Sequence, residues 1–255
     1  MSQVIRLDKI KKIYHSPQGE TEAVCDLSFA VDDKEFVSLI GPSGCGKSTV
    51  LSLIAGLEKP SEGSIFRNYR EDDGEKHVGY MLQQDHLFPW LTVRQNALLG
   101  LSIQHKKTKN FVDVVDKLLV QYGLGGFADV YPSQLSGGMR QRAALIRTLA
   151  VDPVLLLLDE PFSALDAQTR LAVSDDIHGL IKKSGKTALM VTHDISEAIS
   201  MSDRVIVLTK RPATVKTVVD VRFPDAETPL EKRKSPRFSA VFQELWEELH
   251  DEPGA

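Results

Sequence analysis

The chain begins with alternating polar and apolar positions and later passes through short, continuous apolar runs. Cys25, Leu27, Phe29 and Val31 alternate with polar or small residues, which is the period-two pattern of a strand with one buried face. Residues 4–14 show a similar alternation. The chain is therefore predicted to open as an antiparallel sheet.

A strand, a loop and a helix are predicted next. Residues 35–40 (EFVSLI) form an apolar run that ends at a glycine. Apolar residues then recur at helical spacing: Val50, Leu51, Leu53, Ile54 and Leu57. Residues 64–67 and 78–82 are predicted to be two further strands around a polar turn at residues 72–74, and both are assigned to the antiparallel part.

The second half of the chain combines a helical block with a parallel sheet. Residues 92–150 have helical periodicity, with one apolar stripe between Phe111 and Tyr122 that Gly123 closes. Continuous apolar runs follow at 154–158, 188–192 and 205–208, as expected for strands buried on both faces of a parallel sheet. An alternating strand at 215–221 and an amphipathic helix at 238–249 complete the pattern. The apolar stripe of that helix is expected to pack on its own domain rather than on a partner.

Composition narrows the class of protein. The chain has 255 residues, of which 42% are hydrophobic and 26% charged. This length and composition are typical of a globular protein of one large or two small domains. A net charge of −4 argues against a nucleic-acid binder. The longest aliphatic run has five residues, at 154–158, whereas a bilayer helix needs about 20. The first 12 residues lack an apolar leader, and the two cysteines suit a reducing compartment, so a cytosolic protein is expected.

The most specific motif is GPSGCGKST at residues 41–49. It satisfies G-x-x-x-x-G-K-[ST] between a predicted strand and a predicted helix, which is the context of a phosphate-binding loop. Lys47 is expected to hold the β- and γ-phosphates and Ser48 to ligate Mg²⁺. A reactive thiol at Cys45 is less favoured than a small side chain that fits the loop. The predicted loop residues are Gly41, Pro42, Ser43, Gly44, Cys45, Gly46, Lys47, Ser48 and Thr49.

A second motif, VLLLLDE at residues 154–160, ends an apolar strand in two carboxylates. Burying these charges is costly unless a cation lies nearby. Asp159 is therefore predicted as a second Mg²⁺ residue, through water, and Glu160 as the base that orients the attacking water. The alternative interpretation of the motif alone is a strand end with solvated acids.

The third motif, LSGGMRQR at residues 135–142, identifies the family. Small residues before a helix form a second anion-binding terminus, with donors at Ser136, Gly137 and Gly138. The sequence resembles the ATP-binding cassette (ABC) family, whose signature is LSGGQ, with Met139 in place of the glutamine. The resemblance covers nearly the whole chain. It implies an α/β fold: a P-loop NTPase (RecA-like) parallel sheet core with an N-terminal antiparallel β subdomain and an inserted helical subdomain.

The resemblance also divides the single ABC ATPase domain, residues 1–255, into parts. Residues 1–33 and 60–82 are expected to form the antiparallel β part, and 34–59 with 151–222 the nucleotide-binding core. Residues 85–150 are expected to form the helical signature subdomain, and 223–255 a C-terminal helical extension.

Further site residues follow from the resemblance. Tyr14 matches the aromatic residue that stacks on adenine, although a strand-end tyrosine is the simpler alternative. Gln83 matches the glutamine that reaches Mg²⁺ and the attacking water, with Gln84 as its rival. Asp166, in the SALD sequence at residues 163–166, matches a loop that contacts the opposite site of a dimer. His193 matches the histidine that senses the γ-phosphate.

Partners are implied in the same way. ATP is expected to be clamped between the Lys47 loop of one copy and the Ser136 region of a second ATPase subunit, and a homodimer is expected. Residues 83–90, including Phe88 and Trp90, and the helical subdomain are expected to contact transmembrane permease subunits at the cytoplasmic face of the membrane. A solute-binding protein, periplasmic or lipid-anchored, would contribute indirectly. Nitrate, sulfonate, taurine and thiamine-precursor importers are the subfamily that the chain resembles.

Two other functions are weighed against an importer ATPase. A soluble ATPase of the same family is possible on the motifs, but neither a second cassette nor a long coiled-coil insertion is present. A kinase or GTPase would share the phosphate loop. However, the chain has no N-K-x-D sequence, and the LSGG run would then have no role.

Overall fold

The computed structural model describes residues 2–17, 19–69, 78–104, 109–163 and 165–250. Its strands are β1 (Gln3–Ser16), β2 (Gly19–Asp32), β3 (Phe36–Ile40), β4 (Glu62–Arg67), β5 (Val78–Met81), β6 (Leu155–Asp159), β7 (Thr187–Val191), β8 (Arg204–Leu208) and β9 (Val215–Asp220). Its α-helices are α1 (Lys47–Ile54), α2 (Val93–Ile103), α3 (Lys109–Gln121), α4 (Gly137–Ala150), α5 (Ala167–Lys183), α6 (Ile195–Met201), α7 (Pro229–Lys234) and α8 (Arg237–His250). The predicted turn at residues 72–74 lies outside the described residues.

Two sheets organise the fold. The first is antiparallel, in the order β2-β1-β4. The second has the order β5-β6-β7-β3-β8-β9, and its strands run parallel except β9, which pairs antiparallel with β8. Every residue of β3, β6 and β7 is buried, because helices and the first sheet cover the two faces. The α/β fold predicted from the apolar runs is confirmed.

Two predictions are corrected. Residues 78–82 were assigned to the antiparallel part, but β5 pairs in parallel with β6 at the edge of the larger sheet. A strand of four residues shows its buried face through alternation but not the direction of its neighbour. Leu57, predicted on the helix that follows the loop, lies beyond the end of α1 and is 69% exposed. The helix stops there because Gly56 takes φ of +74°.

The helices α2, α3 and α4, which lie between β5 and β6 in the chain, share one core with strands of the larger sheet, including Phe36 and Leu156. α2 packs on α4, and α3 contacts both. The predicted stripe of α3 supplies Val115 and Leu119 to this core, and Gly123 follows with φ of +71°. At the other end of the molecule α8 packs on β8 and β9 through Val241 and Leu245. The C-terminal stripe therefore packs on its own domain, as expected.

One further property concerns membranes. Among the residues that the structure describes, none of the helices has the length and apolar character needed to cross a bilayer.

Candidate functional site

The loop at residues 41–49 joins the carboxyl end of β3 to the start of α1. Gly46 precedes the helix with φ of +126°, and a Cβ on it would lie 2.9 Å from the Ala23 carbonyl oxygen. A side chain is therefore excluded at Gly46 by both conformation and space. This geometry turns the backbone sharply before a helix whose first N–H groups are free to bind an anion.

Lys47 is held inside this loop. The side chain is only 8% exposed, and its ammonium donates to the carbonyl oxygens of Gly41 at 2.7 Å and Pro42 at 3.0 Å. Cys45 is 1% exposed and packs in the core beneath the loop. This burial agrees with the interpretation of Cys45 as a small side chain that fits.

Asp159 ends β6 beside α1. Ser48 donates its hydroxyl to one carboxylate oxygen at 3.4 Å, and Tyr80 donates to the other at 3.5 Å. Burial raises the pKa of Asp159, while the hydrogen bond from Ser48 acts in the opposite direction. A buried carboxylate next to a hydroxyl is a donor set that fits Mg²⁺, which binds few protein oxygens and takes its remaining ligands from phosphate and water.

The Ser48 hydroxyl and the Asp159 carboxylate are the pair of groups that fit a metal ion at this position. Among the described residues no group of three or more histidines, cysteines or acids is placed to hold a metal.

Glu160 follows the strand in an unusual conformation. Its φ is +47°, a left-handed value that costs a non-glycine residue roughly 1–3 kcal/mol. The Glu160 amide donates to the Val191 carbonyl at 2.9 Å, which fixes the turn. The carboxylate accepts a hydrogen bond from Gln83 Nε2 at 3.0 Å and lies 3.2 Å from His193 Nδ1. The strained backbone thus places the Glu160 carboxylate between the side-chain amide of Gln83 and the imidazole of His193.

These groups face one cleft of about 600 Å³. Five chain segments far apart in sequence meet there: the phosphate loop, Gln83 after β5, the ends of β6 and β7, and Arg211 after β8. The cleft is lined by Ser43, Gly44, Gly46, Lys47, Ser48, Thr49, Gln83, Glu160, Val191, His193 and Arg211. Gln84 lies outside this lining, so the geometry favours Gln83 over its rival.

Tyr14 lies at the edge of the same loop. Its hydroxyl is 3.5 Å from Thr49 Oγ1, and the Lys12 ammonium sits 4.8 Å from the centre of its ring. The tyrosine is therefore placed beside the phosphate loop, as an adenine-stacking residue must be.

The signature residues occupy a different surface. Ser136 caps α4 by accepting a hydrogen bond from the Met139 amide at 3.3 Å. Within the described chain neither Ser136 nor Gly138 lines the Lys47 cleft. A Cβ on Gly138 would lie 3.2 Å from Thr169 Cγ2, so the glycine lets α4 approach α5 closely.

Asp166 caps that neighbouring helix. It accepts a hydrogen bond from the Thr169 amide at 3.0 Å, and bonds from Thr169 lower its pKa. Like the signature, Asp166 is absent from the cleft lining among the described residues. Two of the predicted nucleotide-contacting regions are thus outside the site that Lys47 forms.

Sequence reasoning missed several residues near the cleft. Arg211 donates to the Gly44 carbonyl at 2.6 Å from the loop after β8. On α4, Arg140 pairs with Asp85 at 3.0 Å, and Arg147 donates to the carbonyls of Asp85 and His86. These contacts tie the signature helix to the segment after Gln83. No sequence signal marks them, because each joins residues more than 50 positions apart.

The segment Phe88-Pro89-Trp90 lies on the surface. Trp90 is 68% exposed, and its ring centre is 5.1 Å from that of Phe88. Asn96, which is fully buried, holds the segment by accepting from the Phe88 amide at 2.8 Å and donating to its carbonyl at 3.1 Å. The aromatic pair is thus presented outward on a fixed loop and is not part of the core.

Comparison with known proteins agrees with this arrangement. Residues 24–163 match the family model described as ABC transporter. An uncharacterised ABC transporter ATP-binding protein, YtlC of Bacillus subtilis, is 46% identical over 96% of this chain and 95% of its own length. The aliphatic sulfonates import ATP-binding protein SsuB of Bacillus licheniformis is 38% identical, covering 98% of this chain and 94% of its own. The nitrate import ATP-binding protein NrtC of Synechococcus elongatus is 41% identical over 96% of this chain but only 38% of its own.

Solved structures give the same result. The dimeric structure of MJ0796, a bacterial ABC transporter cassette, superposes with a TM-score of 0.75 at 32% identity, covering 86% of this chain and 99% of that one. A post-hydrolysis state of the same cassette, also dimeric and bound to ADP and Pi, superposes with a TM-score of 0.74. With a matching family model and near full-length relatives, the chain belongs to the ABC transporter family.

Proposed function

We propose that this protein is the ATP-hydrolysing subunit of a membrane importer for a small solute. The observation that carries the proposal is the placement of Glu160 between Gln83 and His193, opposite Lys47 and Ser48 in one cleft. A phosphate-binding loop facing a positioned carboxylate is suited to the transfer of a phosphoryl group to water.

Each residue has a defined task in this mechanism. The loop amides and Lys47 bind the β- and γ-phosphates of ATP. Ser48, Asp159 and Gln83 would hold Mg²⁺, which neutralises charge that develops on the phosphate oxygens. Glu160 orients the attacking water and accepts its proton, while Gln83 and His193 fix the direction of the carboxylate.

We infer that a second copy completes the site. Ser136, Gly138 and Asp166 are absent from the described lining of the cleft in their own chain, and so is Gly137, which lines a neighbouring cavity with Gln83. A partner's helix α4 would present the Ser136 hydroxyl and the free amides of its first turn to the γ-phosphate. The dimeric state of the related MJ0796 cassette supports this arrangement. Loss of the γ-phosphate then removes the charge that both copies share, and the dimer opens.

The coupling to transport rests on the exposed aromatic pair and on the relatives. Phe88 and Trp90 form an apolar surface suited to the core of a protein interface, and we propose transmembrane permease subunits as the partner. Contact with a permease would place the protein at the cytoplasmic face of the membrane, and a solute-binding protein would act on the other side. The sulfonate and nitrate importers among its relatives support a small anion of the nitrate, sulfonate or taurine type, or a thiamine precursor, as the solute.

The experiment is detergent extraction of native membranes that contain a tagged copy of the chain. We expect the wild type to sediment with membranes and to copurify with permease subunits. Trp90→Asp should release it into the soluble fraction, while ATP hydrolysis by the isolated protein stays unchanged. Leu230→Asp, which alters another exposed apolar side chain (46% exposed), is the matched control and should stay bound. A wild type that is fully soluble would favour the alternative, a soluble ATPase of the same family.

A further inference from the structure

A second cavity, of about 450 Å³, lies where the segment after β9 crosses the end of α5. It shares no lining residue with the ATP cleft. We refer to it as the C-terminal cavity. It is lined by His178, Gly179, Lys182, Lys183, Asp203, Arg222, Phe223, Ala226, Glu227, Thr228 and Lys232.

The charges of this cavity are unbalanced. Four of its lining side chains are cationic and two are acidic. Asp203 already binds Lys182 at 2.7 Å and accepts from the Phe36 amide at 2.8 Å, and Arg222 is paired with Asp220. Glu227 is then the one remaining lining acid against Lys183 and Lys232, so the cavity keeps an excess of one positive charge.

Lys232 is the unusual member. It is only 4% exposed, and among the described residues no carboxylate lies within 4 Å of its ammonium. Its acceptors are two backbone carbonyls, Ser202 at 2.5 Å and Ile199 at 3.5 Å, and its ammonium lies 5.8 Å from the centre of the Phe223 ring. Among the described residues, one of its three donors therefore has no hydrogen-bond acceptor. Burial lowers the pKa of Lys232 to about 8, which leaves the ammonium mostly charged at neutral pH. A buried charge without a counterion is costly.

His178 adds an unused polar group to the same wall. The residue is 5% exposed, and its ring has no hydrogen-bond partner within the described part of the chain. Burial, with the charges of Lys232 and Lys182, lowers its pKa to about 4. The neutral imidazole therefore keeps one N–H that can donate. Beside it, Phe223 and Ala226 are buried and apolar.

We propose that the C-terminal cavity binds a small organic anion, with its acidic group between the Lys232 and Lys183 ammonium groups. The His178 ring donates to the same acidic group, and the apolar body of the ligand packs on Phe223 and Ala226. The anion supplies the counterion that Lys232 lacks. This site is separate from ATP hydrolysis and does not depend on the proposed transport function.

A purely structural role for Lys232 is the competing explanation. Its two acceptors are carbonyls at the end of α6, and a lysine there caps the helix. Capping accounts for two of its three donors. It does not account for the second cation, Lys183, or for the unpartnered imidazole on the same wall.

Calorimetric titration of the full chain tests the proposal, with benzoate, butanesulfonate and butyl phosphate as probes and butylammonium as the cationic control. Because the phosphate loop also binds anions, each titration is repeated in the Lys47→Ala variant. We expect at least one anion to bind with the same Kd in both proteins and butylammonium not to bind. Failure of all three anions to bind, or binding lost in Lys47→Ala, would overturn the proposal.

Variants then locate the site. Lys183→Glu and His178→Asn should each weaken binding roughly tenfold, the effect of one lost charge-assisted hydrogen bond. Lys232→Met should weaken it further. Lys234→Met, on an exposed lysine outside the cavity lining, is the matched control. Lys183 is exposed, so its variant can be judged even if Lys232→Met fails to fold. Unchanged affinity in both Lys183→Glu and His178→Asn would show that Lys232 is a helix cap only.

Discussion

The Lys47 cleft and the signature surface differ in how far one chain completes them. In the cleft, Glu160 touches Gln83 and His193, and Asp159 touches Ser48, so the groups are already in contact. On the signature surface, the Ser136 hydroxyl accepts a hydrogen bond from the Met139 amide at the start of its own helix. The first region is organised by long-range contacts, whereas the second is a capped helix end whose Ser136 and Gly138 are absent from the described lining of the cleft. This difference supports the proposal that the Lys47 cleft binds ATP and that the signature surface of a second copy closes over it.

The largest effect is expected from a substitution in the Lys47 cleft, where the groups are already in contact. Glu160→Gln should lower ATP turnover at least about a hundredfold, because the amide cannot accept a proton from water. Nucleotide binding should persist, since Lys47 and the loop are untouched. Phosphate release and binding of a fluorescent ATP analogue measure the two properties. Glu244→Gln, an exposed acid on α8, is the control. Robust hydrolysis by Glu160→Gln would remove Glu160 from its role.

The signature surface can be tested without removing the N-cap that Ser136 provides to α4. Ser136→Asp keeps a good N-cap but adds a negative charge where a second copy would meet the γ-phosphate. Turnover should fall by roughly a hundredfold, while ATP binding to the single chain stays unchanged. Ser136→Asn is the neutral matched control and should fall far less.

Mixing two inactive variants tests whether the cleft and the signature surface of one ATP site come from different copies. Lys47→Ala disables the cleft and Ser136→Asp disables the closing surface, so neither variant alone should turn over. Together they can form a mixed dimer with one intact composite site, and turnover should reappear. Absence of recovery, with wild-type activity proportional to enzyme concentration at every dilution, would contradict the two-copy site.

A smaller effect is expected inside the cleft at Gln83. Gln83→Ala removes the hydrogen bond to the Glu160 carboxylate and should lower turnover at least about tenfold, since a hydrogen bond to a charged group contributes about 1.5–3 kcal/mol. Gln84→Ala is the matched control and should be near wild type. Equal losses in both variants, measured by phosphate release, would undo the choice between the two glutamines.

His178 lies outside both regions, and its protonation should affect the stability of the fold. Its pKa is lowered to about 4 in the folded state from an ordinary 6.5. The unfolded chain therefore binds the proton first as pH falls, and folding stability is lost between pH 6.5 and pH 4. The contribution approaches about 3 kcal/mol for a shift of this size. Urea unfolding across this range should show a weaker pH dependence in His178→Asn than in the wild type. An unchanged dependence would contradict the burial argument.

Much of the fold was predictable because burial leaves a periodic trace. The fully apolar runs of β3, β6 and β7 gave the parallel sheet, and the alternation from Cys25 to Val31 gave the antiparallel one. The predicted place of residues 78–82 in the antiparallel part was wrong, since alternation in the four residues of β5 does not show the direction of the neighbouring strand. The site roles of Tyr14, Gln83 and Asp166 remain predictions that rest on resemblance.

Local sequence by itself determined the phosphate loop, the buried strands and the helix caps, because these depend on residues within a few positions of one another. Only the tertiary structure decided that Gln83, Glu160 and His193 converge and that Arg211 reaches Gly44. It also decided that Lys232 is buried with no carboxylate within 4 Å of its ammonium in the part of the chain that is described. Those contacts join segments far apart in the chain. They form only when the sheet orders its strands, and no spacing in the sequence records that order.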